Sequence, residues 1–202
     1  MADAQTVMAA VTNPVAAGKS PGDLSAYPPL NPIATRAATD ALANVGVSED
    51  GPPYDNRGRD VETYLGSVGL GAGNPWCAAW VFFRLRQAAR ELSVPLPISV
   101  STMLGKGAAA SWAEWGRARR RWYGAGSGYH PRRGDLACFY IESENGIHHI
   151  GIVLDSDGDG VTTVEGNTHA EGVASRDGYC VAKRARAYSA FGARGGFVTL
   201  GF

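Results

Sequence analysis

Asn74-Pro75-Trp76-Cys77-Ala78-Ala79-Trp80 opens a segment that reads as a long amphipathic helix running to about Leu92 and stopping before Pro95. Asn74 is a good N-cap, because its side-chain oxygen can accept from a free backbone N–H. Pro75 suits the first helical position, where no donor is needed. Cys77 then falls at the third helical position. Unpaired N–H groups and the positive end of the helix dipole favour a thiolate there, below the ordinary thiol pKa of about 8.5. The competing reading makes Cys77 a small buried hydrophobe between Trp76 and Trp80, the usual fate of a lone cysteine. A histidine base elsewhere in the chain decides between the two.

Working outward, an amphipathic helix begins at Asn31 and covers Ile33 to Val45. A Pro/Gly/Asn loop follows from Asp50 to Gly58, and a second short helix starts at Val61 to Leu65. Residues 1 to 30, rich in Ala, Pro, Gly and Ser, show no sustained period and read as a flexible tail, which leaves 31–202 as the folded domain. Ser111 to Trp122 reads as a further helix carrying Trp and Arg. Beyond Gly134-Asp135 the period changes to that of strands: Leu136 to Ile141, His148 to Leu154, Val161 to Glu165, a weaker one near Val181, and Phe197 to Leu200. Helices first and an antiparallel sheet second is an α+β layout.

The base is expected where two of these strands meet. His148-His149-Ile150-Gly151-Ile152-Val153 opens one strand, and Val164-Glu165-Gly166-Asn167-Thr168 closes its hairpin partner, so His149 is brought near Glu165 or Asn167. Two apart in an extended strand, Glu165 and Asn167 share a face, and either can meet the imidazole. Neighbouring histidines point to opposite faces, and parity alone does not choose between them. Gly151 beside His149 leaves room for a close approach and favours His149. His130 and His169 sit in loop-like contexts and read as surface residues.

Four ordered elements now resemble one family. Pro75-Trp76-Cys77-Ala78-Ala79-Trp80, then Gly134-Asp135-Leu136, then His149-Ile150-Gly151-Ile152-Val153, then Glu165-Gly166-Asn167-Thr168 are similar to the CHAP (cysteine, histidine-dependent amidohydrolase/peptidase) domains, papain-like peptidoglycan hydrolases. Gly46-Val47-Ser48-Glu49-Asp50, Asn56-Arg57-Gly58 and Val61-Glu62-Thr63-Tyr64-Leu65 extend the likeness upstream, to roughly residues 33 to 202. The resemblance implies a papain-like fold with the nucleophile helix packed on an antiparallel sheet. It also implies Cys77 as nucleophile, His149 as base, Glu165 as orienting residue and Asn167 as a fourth member. Hydrolysis of an amide bond in wall peptides through a thioester is the expected activity. The backbone N–H of Cys77 is one oxyanion donor by the helix argument. Asn56 and Asn74 are candidates for the second.

Composition removes other classes. Nineteen basic residues balance nineteen acidic ones, so there is no global footprint for nucleic acid. Arg117, Arg119, Arg120 and Arg121 read as a solvated helix face rather than an anion-binding strip. No apolar run is long enough to span a bilayer, and the N-terminus lacks a basic start and apolar core. Action in the wall or outside the cell then calls for lysis, a dedicated secretion device that engages the tail, or a leader outside this sequence. A monomer is expected. Three cysteines do not make a disulfide scaffold, and Cys138 and Cys180 read as buried thiols rather than a pair. Asp155-Ser156-Asp157-Gly158-Asp159-Gly160 has the first half of a calcium loop but no twelfth-position carboxylate, so Asp155, Asp157 and Asp159 read as a hairpin turn, with no cofactor. A rival class, a non-catalytic wall- or calcium-binding module, would use Trp112, Trp115, Trp122 and Tyr123 as a platform, although their near-helical spacing suits core packing better. A papain-like peptidase or acyltransferase with a non-wall substrate is the third reading. Substrate choice is assigned to the loops Ile98 to Gly107 and Gly124 to Tyr129.

Overall fold

Asn31 caps helix α1 (Pro32–Leu42), its Oδ1 accepting from the N–H groups of Ile33 (2.8 Å) and Ala34 (3.1 Å). The computed structural model describes residues 30–98, 108–170 and 178–201. Nearly all of the expected tail, 1–29, and nearly all of the expected specificity loop, 99–107, lie outside the described residues. The buried stripe of α1 is Ile33, Ala34, Ala37, Ala38 and Ala41, and these small residues let it lie close against α3 (Cys77–Glu91). Arg36 on α1 ties the far end of α3 through Glu91 at 2.6 Å. Helix α2 (Arg59–Gly66) and α4 (Ala108–Ala118) complete the helical layer.

Six strands form one antiparallel sheet: β1 (Trp122–Gly124), β2 (Leu136–Ile141), β3 (Gly146–Ser156), β4 (Gly160–Thr168), β5 (Cys180–Ala187) and β6 (Gly196–Val198), in the order β1-β6-β2-β3-β4-β5. The main core lies between helices and sheet, where Trp80, Leu85 and Trp112 meet Leu136, Ile150, Ile152, Val164 and Val198. The opposite face carries a smaller cluster, Tyr129, Phe139, Val153, Phe191 and Phe197. This is the expected α+β layout. Trp112 and Trp115 are buried core residues, as their helical spacing suggests.

Two helices end earlier than expected, α1 at Leu42 rather than Val45 and α4 at Ala118 rather than Trp122. The chain leaves α4 through Arg120 in the left-handed region (φ 56°), with the Arg121 N–H on Gly116 O at 2.8 Å, a helix-terminating hydrogen bond from the sixth residue to the first. Trp122 therefore belongs to a strand. Gly134 (φ 91°) is required where it stands, since an added Cβ would lie 2.6 Å from the Ala34 carbonyl carbon and push α1 off the sheet. The adjoining Asp135 is buried, accepts from Tyr129 Oη (2.5 Å) and Arg132 N (2.8 Å), and is pushed up to about 6 by burial against those bonds. All three cysteines are free and buried.

Candidate active site

Helix α3 starts at Cys77, two residues later than the sequence suggests. Its N-cap is Trp76, without a side-chain cap, and Asn74 turns its amide onto Gly71 O at 2.9 Å. The Asn74 cap is thus corrected, and tertiary packing is the reason. Trp76 is fully buried, its Nε1 donates to Glu49 Oε1 at 2.9 Å, and its ring lies against Tyr64. Gly166 admits this packing, because a Cβ there would come within 2.8 Å of Trp76 and 2.9 Å of Trp80. Cys77 becomes the first helical residue rather than the third, and its N–H has no intrahelical acceptor. Its Sγ lies 3.9 Å from His148 O and the residue is only 5 % exposed.

The base comes from a fault in β3. The β2–β3 register pairs Phe139 with His149 but Tyr140 with Ile147, so His148 is the extra residue of a bulge and strict alternation fails there. His149 places Nε2 2.8 Å from Glu165 Oε2, which leaves Nδ1 as the ring nitrogen available to the Cys77 thiol, whose influence the imidazole feels. Burial works against its charged form, but the hydrogen bonds and charges of Cys77 and Glu165 outweigh it and raise the imidazole to about 9. His148 instead turns outward toward Glu144 at 3.4 Å. His130 is exposed, and His169 packs edge-on against Tyr179.

Glu165 is completely buried and is held from three directions. Thr163 Oγ1 donates to Oε1 at 2.6 Å, Arg186 donates Nε to Oε1 at 2.8 Å and Nη2 to Oε2, and His149 takes the remaining approach to Oε2. Burial alone would raise this carboxyl, yet Arg186 and His149 hold it well below the usual carboxylate range. The missing side chain of Gly151 provides the space, since a Cβ there would lie 2.6 Å from Glu165 Cγ.

Two members went unread in the sequence. Arg186, on β5, straddles the Phe139 ring at 5.2 Å, and the same ring faces His149 at 5.6 Å. The sequence shows only the alternation of Arg184 and Arg186 with Ala185 and Ala187; the pairing of β5 with β4 is what turns that stripe toward Thr163 and Glu165. Glu49, a buried acid, holds both Trp76 Nε1 and the Asn56 N–H (2.8 Å).

The asparagines divide. Asn167 does not simply share a strand face with Glu165, because β4 bulges between Glu165 and Thr168 and Asn167 takes φ 55°. It is buried, with Oδ1 unpartnered among the described residues. Asn56 (φ 62°) also keeps a buried Oδ1 without a partner there. Through Gly73 N (3.0 Å) and Glu49 it is tied to the loop that delivers Cys77, whereas the Asn74 amide is already engaged.

The turn from β3 to β4 is organised by Asp157, whose Oδ1 accepts from Asp159 N (2.8 Å) and Gly160 N (2.9 Å); these bonds lower its pKa. Asp155 accepts from Ser156 N. Among the described residues no three His, Cys, Asp or Glu side chains converge as a metal site would require.

With this geometry in hand, comparison with known proteins is decisive on family: the CHAP domain profile matches residues 69–167. This segment is a CHAP domain. CHAP proteins act on cell-wall peptidoglycan as amidases and peptidases, and the match spans Cys77, His149, Glu165 and Asn167 while leaving Glu49 and Arg186 outside it. No curated protein matches the chain. Two solved structures are similar at 16 % identity: the crystal structure of Ly7917, over 83 % of this chain with TM-score 0.45, and that of Ly7917 with the hydrolyzing product of MDP, over 82 % with TM-score 0.42. The chain spans 62 % of the length of each. Among the described residues no helix is long and apolar enough to cross a membrane.

Proposed function

We propose that the chain is a cysteine amidase or endopeptidase that hydrolyses an amide bond in peptidoglycan peptides through a thioester. The observation that carries this reading is the connected line Cys77, His149, Glu165, Arg186. A thiol at a helix N-terminus meets an imidazole whose far nitrogen is fixed by a buried, ionised carboxylate.

In the first half-reaction His149 takes the Cys77 proton, and the thiolate adds to the amide carbon. The carbonyl oxygen becomes an oxyanion, stabilised by the free Cys77 N–H and the helix terminus. Imidazolium then protonates the departing nitrogen as the C–N bond breaks, leaving a thioester and a free amine. In the second half-reaction His149 removes a proton from water, hydroxide adds to the thioester carbon, and the C–S bond breaks to release the carboxylic acid and the thiol. Glu165 keeps one tautomer and stabilises imidazolium at each stage. Asn56, tied to the Cys77 loop through Gly73 N and Glu49, would donate from its Nδ2 and is favoured as the second oxyanion donor over Asn74, whose Nδ2 is engaged by Gly71 O. Asn167 remains a supporting member.

The test is digestion of purified peptidoglycan with mass analysis of the fragments. New amine and carboxyl termini that appear with the native chain and not with Cys77→Ala support the reading, and their masses identify the bond. Unchanged walls would favour the binding-module alternative.

A further inference from the structure

On the helix side of the sheet, beyond the end of β2, lies a cleft of about 400 Å³, within the range of small-ligand sites. One wall is the turn Gly124–Ser127 after β1, and the other is the loop Gly192–Gly195 before β6. Added Cβ atoms at Gly124 or Gly126 would meet nothing within 4 Å, so this mouth is open. The cleft is cationic. Arg117 from α4 lies 4.3 Å over the Trp122 ring, and Arg194 lies 5.7 Å from the Tyr140 ring.

Neither guanidinium has a carboxylate partner among the described residues, whereas Arg36, Arg57 and Arg186 each do. Glu142, the acid at this rim, engages the Ala193 N–H through Oε1 at 3.0 Å. An arginine laid on an aromatic ring has its plane fixed and its donor edge free, which suits a forked pair of bonds to a carboxylate. Two such groups facing one solvent-filled cleft are arranged for an anion.

Sheet register places this cleft at the catalytic end. Gly196 pairs with both Gly124 and Cys138, and the next residue of β2, Phe139, pairs with His149. Burial raises the Cys138 thiol, which also feels the charges of Arg117 and Cys77. In the sheet, β2 alone separates the strand at this cleft, β6, from β3, which carries His149. The loop Gly124 to Tyr129, read in the sequence as a substrate loop, forms one rim.

We infer that the Arg117/Arg194 cleft is a subsite for a free carboxylate of the substrate peptide. This rests on the wall-peptide reading above, since stem peptides carry free carboxylates at a short distance from the bonds at issue. Arg117 then leaves the solvated helix face in function, while Arg119 and Arg120, exposed, lie past the helix end.

The experiment measures affinity and turnover separately. Binding of a soluble disaccharide-tetrapeptide wall fragment to the Cys77→Ala chain is compared with binding of the same fragment after its carboxylates are amidated. Both are repeated with Arg117→Gln and Arg194→Gln added. Amidation and each arginine change should weaken binding about tenfold, and the two losses should not add, because they remove one interaction. Equal affinity for free and amidated fragments, equal arginine effects on both, or no binding at all overturns the subsite, and the ligand comparison on the unaltered cleft needs no variant to fold. Turnover by the native chain is the separate readout for the catalytic reading. Cleavage with carboxylate-blind binding sinks the subsite alone, and carboxylate-dependent binding without cleavage sinks the hydrolase alone.

Discussion

Around His149 the side chains are held by charge: Glu165, Arg186 and Thr163 form a buried polar cluster in which each carboxylate oxygen has a donor. Around Cys77 the opposite holds. Trp76 and Trp80 pack the helix start onto Gly166, and the buried acid Glu49 acts on Trp76 rather than on the thiol. The base is thus fixed by hydrogen bonds in a low-dielectric setting, and the nucleophile by shape. Perturbing the first should alter proton chemistry and its pH dependence, and perturbing the second should alter position.

The sharpest separation comes from removing the thiol. Cys77→Ala should lower turnover by at least about a thousandfold while leaving the melting temperature close to native, because it deletes one sulfur and no helix hydrogen bond. Residual turnover near native would refute the nucleophile.

On the base side, His149→Ala should cost roughly a hundredfold or more in kcat. His148→Ala should cost little, since that ring sits outward beside Glu144. Reversed losses would show that the bulge delivers the other histidine.

Third, Glu165→Gln should retain partial activity, about a tenth or less of native, and should change pH dependence. The sign follows from the shifts. The imidazole is raised in the folded chain to about 9, so its stabilising contribution is complete below 6.5 and is lost as pH rises through 9. Glu165 is lowered, so its contribution is present above its ordinary 4.5 and is lost as pH falls further. Asp135, raised from 3.8 to about 6, contributes fully below 3.8 and loses that contribution as pH rises through about 6, before the imidazole window opens. A fall in melting temperature between pH 6.5 and 9.5 therefore reports the imidazole, and thermal scans should show it weakened in Glu165→Gln and absent in His149→Ala.

On the thiol side the expected effects are smaller. Glu49→Gln leaves one oxygen to serve two donors, costing about 1–3 kcal/mol of stability by denaturant titration. It should lower kcat severalfold without moving the pH profile. A shifted profile would mean that Glu49 acts on the thiol electrostatically and would erase the contrast. The smallest effect is expected at the β3–β4 turn. Because Asp157 is engaged by its own turn amides, chelator should leave kcat unchanged and calcium should not raise the melting temperature. A calcium-dependent gain lost in Asp157→Ala would make that turn a third, metal-held region.

The order of the site was legible in the sequence because its parts are punctuated: a proline before the helix, Gly151 under the carboxylate, an Asp/Gly turn between paired strands. What escaped was set by packing across the chain. Asn74 has every property of a cap, but the burial of Trp76 against Glu49, Tyr64 and Gly166 moves the helix start past it. Strand parity could not choose between His148 and His149, nor place Asn167, because β3 and β4 each bulge at the catalytic level. Arg186 reads as one more surface arginine until β5 is paired with β4, and only the fold supplies that pairing.

The three free thiols lie in three different parts of this architecture: Cys77 at a helix terminus, Cys138 in an interior strand and Cys180 at the start of the edge strand β5, where its Sγ contacts Thr168 O at 3.2 Å. None is more than 5 % exposed. Alkylation of the native chain is therefore a clock with three hands, in which the order of labelling ranks the local openings of the helix start, the sheet edge and the sheet interior without any introduced probe.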